Sequence, residues 1–100
     1  MYAQLVQGGT TPDKRNEMDK IVTDELIPAL QDEPGFGGAL NLVDRTSGNA
    51  LMLILWETAD QAGRPLNEYG AKFLQALASI AGITTGNRAP MSVWEVNARV

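Results

Sequence analysis

The chain of 100 residues contains no cysteine and no histidine. The first absence removes disulfides, thiolate nucleophiles and thiolate metal sites together. The second removes the usual metal and haem ligand and the side chain that titrates nearest neutral pH. Basic clusters are missing too: eight Lys and Arg face twelve Asp and Glu, a net charge of −4. An acidic surface repels phosphate backbones, so nucleic acid is not an expected partner. No apolar run approaches the roughly 20 residues of a membrane-spanning helix, so no membrane association is expected. No basic segment precedes an apolar stretch at the start, so no signal peptide is expected and the cytoplasm is the expected location. Carboxylates are present but do not cluster, and neither a metal nor a cofactor is expected.

What the sequence does contain is enough apolar material for one core. Hydrophobic residues make up 44% of the chain, too many for a disordered segment, and the whole of 1–100 is read as a single domain. The longest apolar run is Leu51-Met52-Leu53-Ile54-Leu55-Trp56. Side chains alternate between faces along a strand, so a strand of this composition needs cover on both sides. The run is too short to favour a helix. It is read as a central strand, with helices on one face and a second copy of the protein on the other.

Tyr2 to Gln7 alternates as a first strand and ends at Gly8-Gly9. Thr10-Thr11-Pro12-Asp13 starts a helix, with a capping threonine, proline at the first helical position and an acidic first turn. Met18, Ile21, Val22, Leu26, Ala29 and Leu30 form its apolar face, with Lys14, Arg15, Asp19, Lys20 and Asp24 opposite. Pro28 predicts a kink or break. Phe36 to Asp44 is a second strand whose Gly37 and Gly38 suggest a bulge, and Thr46 to Asn49 is a hairpin loop. Thr58 caps a second helical region, divided by Gly63 and Pro65 into a short turn and a main helix from about Pro65. Leu66, Tyr69, Phe73, Leu77 and Ile80 form its stripe. Ile83 to Pro90 is read as a polar loop and Met91 to Val100 as the last strand. The order β-α-β-β-α-β is ferredoxin-like: an α+β fold with a four-stranded antiparallel sheet and both helices on one face.

The segments Pro34-Gly35-Phe36-Gly37-Gly38-Ala39 and Leu55-Trp56-Glu57-Thr58-Ala59-Asp60-Gln61-Ala62 resemble the antibiotic biosynthesis monooxygenase (ABM) domains of the dimeric α+β barrel superfamily. The resemblance covers nearly the whole chain in element order. It implies a homodimer closed through the bare sheet faces, with a substrate pocket in each subunit between sheet and helices. Relatives include cofactor-independent quinol or anthrone oxygenases and haem-degrading enzymes. Trp56 matches the family tryptophan at the end of the third strand. Where haem-degrading relatives carry their haem-ligating histidine this chain has Leu66, and where anthrone-oxidising relatives carry an asparagine it has Met52.

The substrate-binding candidates are Trp56, Tyr69, Asn41 and Arg64. An indole at Trp56 can stack on a flat substrate or donate its N–H; the alternative is a core residue. Tyr69 brings a hydroxyl to the same space, or packs as an ordinary helix residue. Asn41 is polar in mid-strand and its face depends on register. Pairing of Asp44 with Ala50 puts it with Leu53, and pairing of Arg45 with Ala50 puts it with Ile54 and Trp56. Gln4 and Asn97 are read as structural or interfacial. Arg64 either guides an anion to the cleft or is a solvated surface arginine. The expected function is ABM-like: cofactor-independent oxygenation of a small quinol- or anthrone-like aromatic, without an assignable catalytic residue. The alternative is a non-catalytic homodimeric module that binds a small hydrophobic ligand.

Overall fold

The computed structural model describes residues 1–84 and 91–100. Strands β1 (Tyr2–Gly9), β2 (Phe36–Val43), β3 (Asn49–Trp56) and β4 (Ser92–Glu95) form one antiparallel sheet in the order β2-β3-β1-β4. The segments α1 (Arg15–Ile21), α2 (Ile27–Gln31), α3 (Ala59–Ala62) and α4 (Ala71–Ala81) provide the helical layer. This is the expected α+β ferredoxin-like arrangement, and the run Leu51 to Trp56 lies in an interior strand.

Register explains which residues of the run are buried. Tyr2 pairs with Trp56, Gln4 with Ile54 and Val6 with Met52, so these side chains share the face turned to the helices. Met52, Ile54 and Trp56 are buried there with Met18, Val22, Leu26, Ala29 and Leu30 from the first helical segment and Phe73 and Ala76 from α4. The other face carries Leu5, Leu40, Leu42, Leu51, Leu53, Leu55 and Trp94. On it Leu40, Leu42 and Trp94 are 57%, 50% and 60% exposed. One face of the central strand is thus covered within the chain, and the other is apolar and open.

The first helical segment runs through Pro28 without a break. A π-helical turn (Val22–Leu26) stands between α1 and α2, and the Ile27 N–H closes it onto the Val22 carbonyl. Proline cannot donate and crowds the preceding turn, and the wider turn accommodates it. Arg15 departs from its expected position on the wet face: it is 2% exposed. It lies three and seven residues before Met18 and Val22, on the same stripe.

In the second region Thr58 forms a capping box with Gln61, as the threonine suggested, but no continuous helix begins at Pro65. A single 3₁₀ turn (Leu66–Glu68) follows, and Gly70 stands at φ 90°, ψ 175° before α4. That backbone geometry is outside the helical region, so Leu66 and Tyr69 reach the core from a loop. The last strand is shorter than expected. Antiparallel pairing ends where β1 ends: Tyr2 faces Glu95, and the Val96 N–H donates to the Met1 carbonyl at 3.0 Å. The expected polar loop extends to Pro90, and its residues 85–90 lie outside the described residues. The glycine bulge is present as a register shift between Phe36 and Gly38.

Candidate functional site

Two regions of the sheet–helix interface concern the candidate residues. The first is the aromatic cluster at the end of β3. Trp56 is 1% exposed. Its ring stacks on Tyr69 with centroids 5.5 Å apart and planes 4° from parallel, and Phe36 meets it edge-on at 5.9 Å. Phe73 in turn packs edge-on against Tyr69 at 5.2 Å. The Trp56 indole N–H donates to Gln4 Oε1 at 3.0 Å. Both groups offered as ligand contacts, the indole face and its N–H, are therefore engaged by the protein itself.

Tyr69 directs its hydroxyl to backbone, donating to the Gln61 carbonyl at 3.3 Å. Burial raises its pKa above the ordinary value of 10.0; Gln4 and the Arg64 guanidinium oppose the rise, and Glu33 and Glu68 add to it. At neutral pH the phenol holds its proton and is no proton acceptor. The Arg64 guanidinium lies 4.8 Å from the centre of the Tyr69 ring and pairs with Glu33 at 3.0 Å. It clamps the loop before α4, as a structural cation.

The second region is a half-open cleft of about 90 Å³ near the hairpin end of the sheet. Its floor comes from β1 (Val6 to Gly9), β2 (Asn41) and β3 (Ala50, Met52, Ile54). Its roof comes from Arg15, Met18, Val22 and Leu26, and from Leu66, Phe73, Leu77, Ile80 and Thr84. Met52 and Trp56 share a face but lie four residues apart, about 13 Å along a strand. The walls of this cleft accordingly include Asn41 and exclude Trp56, Tyr69 and Arg64. Asn41 is there because the hairpin pairs Val43 with Ala50 and Asn41 with Met52. Neither register weighed from the sequence is adopted, yet the parity matches the one that puts Asn41 on the Trp56 face.

Among the described residues Arg15 is the one charged wall of the cleft. Nε donates to Asp19 Oδ1 at 2.9 Å and Nη1 to the Gly48 carbonyl at 3.0 Å. Gly48 has φ 84°, and a Cβ there would collide with the Thr10 carbonyl, so the hairpin turn that holds Arg15 requires glycine. Nη2 also lies 2.9 Å from Asp19 Oδ1, an ion-pair distance. Its hydrogens are not aimed at that oxygen, and it has no hydrogen-bond partner among the described residues. Arg15 was missing from the sequence candidates because a charged residue in a first helical turn reads as solvated. Its place on the apolar stripe and its i, i+4 relation to Asp19 were the available signals. Among the described residues no three His, Cys, Asp or Glu come together to hold a metal ion, and no helix is long and apolar enough to cross a membrane.

No protein-family model matches the sequence, and no relative is found among curated proteins. Solved structures do match. An antibiotic biosynthesis monooxygenase superposes with a TM-score of 0.74 at 13% identity, over 98% of this chain and 100% of that one. SnoaB from Streptomyces nogalater, a cofactor-independent oxygenase solved as a single-substitution variant, gives 0.71 at 14% identity over 99% and 96%. Rv0793 from Mycobacterium tuberculosis gives 0.70 at 16% identity over 98% and 96%. The fold of this chain is that of the antibiotic biosynthesis monooxygenases.

Proposed function

We propose that this protein is an ABM-like homodimer that takes one small, largely apolar molecule per subunit in the cleft beside Asn41. We infer further that it oxygenates a small phenol or quinol there without a cofactor. The observation that carries this reading is the cleft itself: apolar walls from both layers with a carboxamide and a guanidinium among them, the composition of a small-molecule site. The position of Asn41 supports it. Asn41 pairs across the strands with Met52, the position at which anthrone-oxidising relatives carry asparagine. The volume narrows the substrate. The cleft of about 90 Å³ is smaller than the roughly 150 Å³ that holds benzene in a closed apolar cavity, which supports a one-ring substrate with its far edge at the mouth over a larger fused-ring one.

Such chemistry asks little of the protein. A phenolate or enolate passes electrons to dioxygen, a C–O bond forms at the ring carbon, and loss of water leaves the carbonyl product. The protein contributes desolvation, orientation and stabilisation of the substrate anion. The proton acceptor is solvent at the mouth, since Tyr69 holds its proton. One observation favours the second reading, a binding module without turnover: among the described residues neither a carboxylate nor a tyrosine lines the cleft. Oxygen uptake by metal-free protein with a panel of one-ring quinols and catechols separates the two. Turnover lost on filling the cleft with Ala50→Phe supports oxygenation, whereas bound quinol without oxygen uptake establishes the binding module.

A further inference from the structure

We propose that Asn41 selects what the cleft binds, and that its ligand is a neutral one-ring molecule whose hydroxyl group is held by the Asn41 carboxamide as both donor and acceptor. The inference rests on the reading of the cleft as the binding site and deepens it by assigning the polar contact and excluding organic anions.

Among the described residues the polar walls of the cleft are Gln7, Arg15, Asn41 and Thr84. Gln7 pairs with Leu51, so its side chain belongs to the open face of the sheet and its backbone alone faces the cleft. Thr84 donates its hydroxyl to the Ile80 carbonyl at 2.7 Å. Arg15 spends Nε on Asp19 and Nη1 on the Gly48 carbonyl, and Nη2 is sealed beside Asp19, 2.9 Å from Oδ1. Asn41 remains. It is half-buried, and among the described residues its carboxamide takes part in no hydrogen bond.

Its position is an interior one. Ala39 pairs with Ile54 and Asn41 with Met52, which places Asn41 on the side of β2 that faces the helices. The same side of the sheet carries a second carboxamide, Gln4, and that one is engaged at both ends, by the Trp56 indole and by Met91 Sδ. A polar side chain in apolar surroundings costs free energy until it is hydrogen-bonded, and asparagine is disfavoured in strands. There is room beside it for a partner. Ala50 pairs with Gly8, and a Cβ at Gly8 would meet nothing within 4 Å.

The chemistry of the amide selects the class of partner. A carboxamide presents an acceptor oxygen and a donor NH₂, and a hydroxyl is the smallest group that answers both. A carboxylate can only accept and sets its charge against Oδ1, with no open donor on Arg15 to compensate. A bare hydrocarbon leaves both groups unmet. A phenol that later loses its proton keeps its hold, because the Nδ2 hydrogens still reach the phenolate oxygen.

Phenol, toluene and benzoate share one ring and differ in a single substituent. Each is titrated at neutral pH into the ¹⁵N-labelled protein, with the backbone amides of Gly8 and Ala50 as reporters. In a cleft with apolar walls alone toluene binds more tightly than phenol, since burying an unpaired hydroxyl is costly. The expected result is the reverse order, with phenol about fivefold tighter than toluene, the net worth of one hydrogen bond, and benzoate weakest. Asn41→Leu, close in volume and without the amide, is expected to put toluene first. Should that variant unfold, Asn41→Val, whose branched side chain suits a strand, carries the same expectation. Toluene matching phenol in the unaltered protein, benzoate binding most tightly, or a phenol preference that survives loss of the carboxamide overturns the role of Asn41 and leaves the cleft standing. Failure of all three molecules to bind overturns the cleft reading as well.

Discussion

At the scale of single residues, burial decides what a polar group does. Gln4 is fully buried on the helix-facing side of β1, and its carboxamide spends its oxygen on the Trp56 N–H. Replacing it with leucine keeps the volume and leaves that indole donor unmatched, at a cost of about 1–3 kcal/mol. The expected readout is a lower urea midpoint at unchanged slope. Tyr69 gives a pH signature whose sign follows from its raised pKa. Folding favours the neutral phenol, so this contribution is complete below the unfolded value near 10 and declines as pH rises from there through the folded pKa. Tyr69→Phe removes a titrating group from the core and should flatten the alkaline fall in stability, measured by denaturation at a series of pH values. Trp56 and Gln4 show how far a sequence reading reaches at this scale. Alternation in Tyr2 to Gln7 and the apolar run ending at Trp56 marked both for the sheet, but their mutual hydrogen bond joins positions 52 residues apart, and no local pattern encodes such a pairing. Arg15 is the converse case, a position that periodicity would have buried and whose charge concealed it.

At the scale of elements, the succession of strands and helices along the chain, the capping box at Thr58 and the bulge after Phe36 all follow from local rules, because alternation, capping and glycine act over a few residues. The misread boundaries have tertiary causes. β4 ends at Glu95, opposite Tyr2 of β1, and the region after Pro65 turns at Gly70 instead of winding on. A paired substitution isolates that turn. Gly70→Ala meets open space but has to adopt φ 90°, so it should destabilise by about 1–3 kcal/mol. Gly82→Ala at the far end of α4 also meets open space, with an ordinary helical φ of −72°, and should be neutral or stabilise by up to about 1 kcal/mol. Chemical denaturation of the two variants side by side checks whether backbone conformation or packing governs the segment that delivers Tyr69 to the core.

At the scale of the whole molecule, the open apolar sheet face is the feature that the sequence announced most clearly, through the six-residue run at Leu51. The chain alone covers one side of it. Contiguous apolar patches on solvated surfaces mark interaction sites, and a homodimer closed through this face is the arrangement proposed for it. Leu42, half exposed on that face, tests the dimer without disturbing the core. Leu42→Glu should leave monomer stability within about 0.5 kcal/mol and shift sedimentation from dimer to monomer. A wild-type monomer at micromolar concentration would overturn the proposal. The two tryptophans of the chain divide between these settings: Trp56 is sealed in the core and Trp94 lies on the open face. Intrinsic emission is therefore separable by collisional quenching. Acrylamide reaches Trp94 in a monomer and loses it on assembly, while Trp56 stays dark to the quencher until the chain unfolds, so one unlabelled sample reports association and folding as two independent signals.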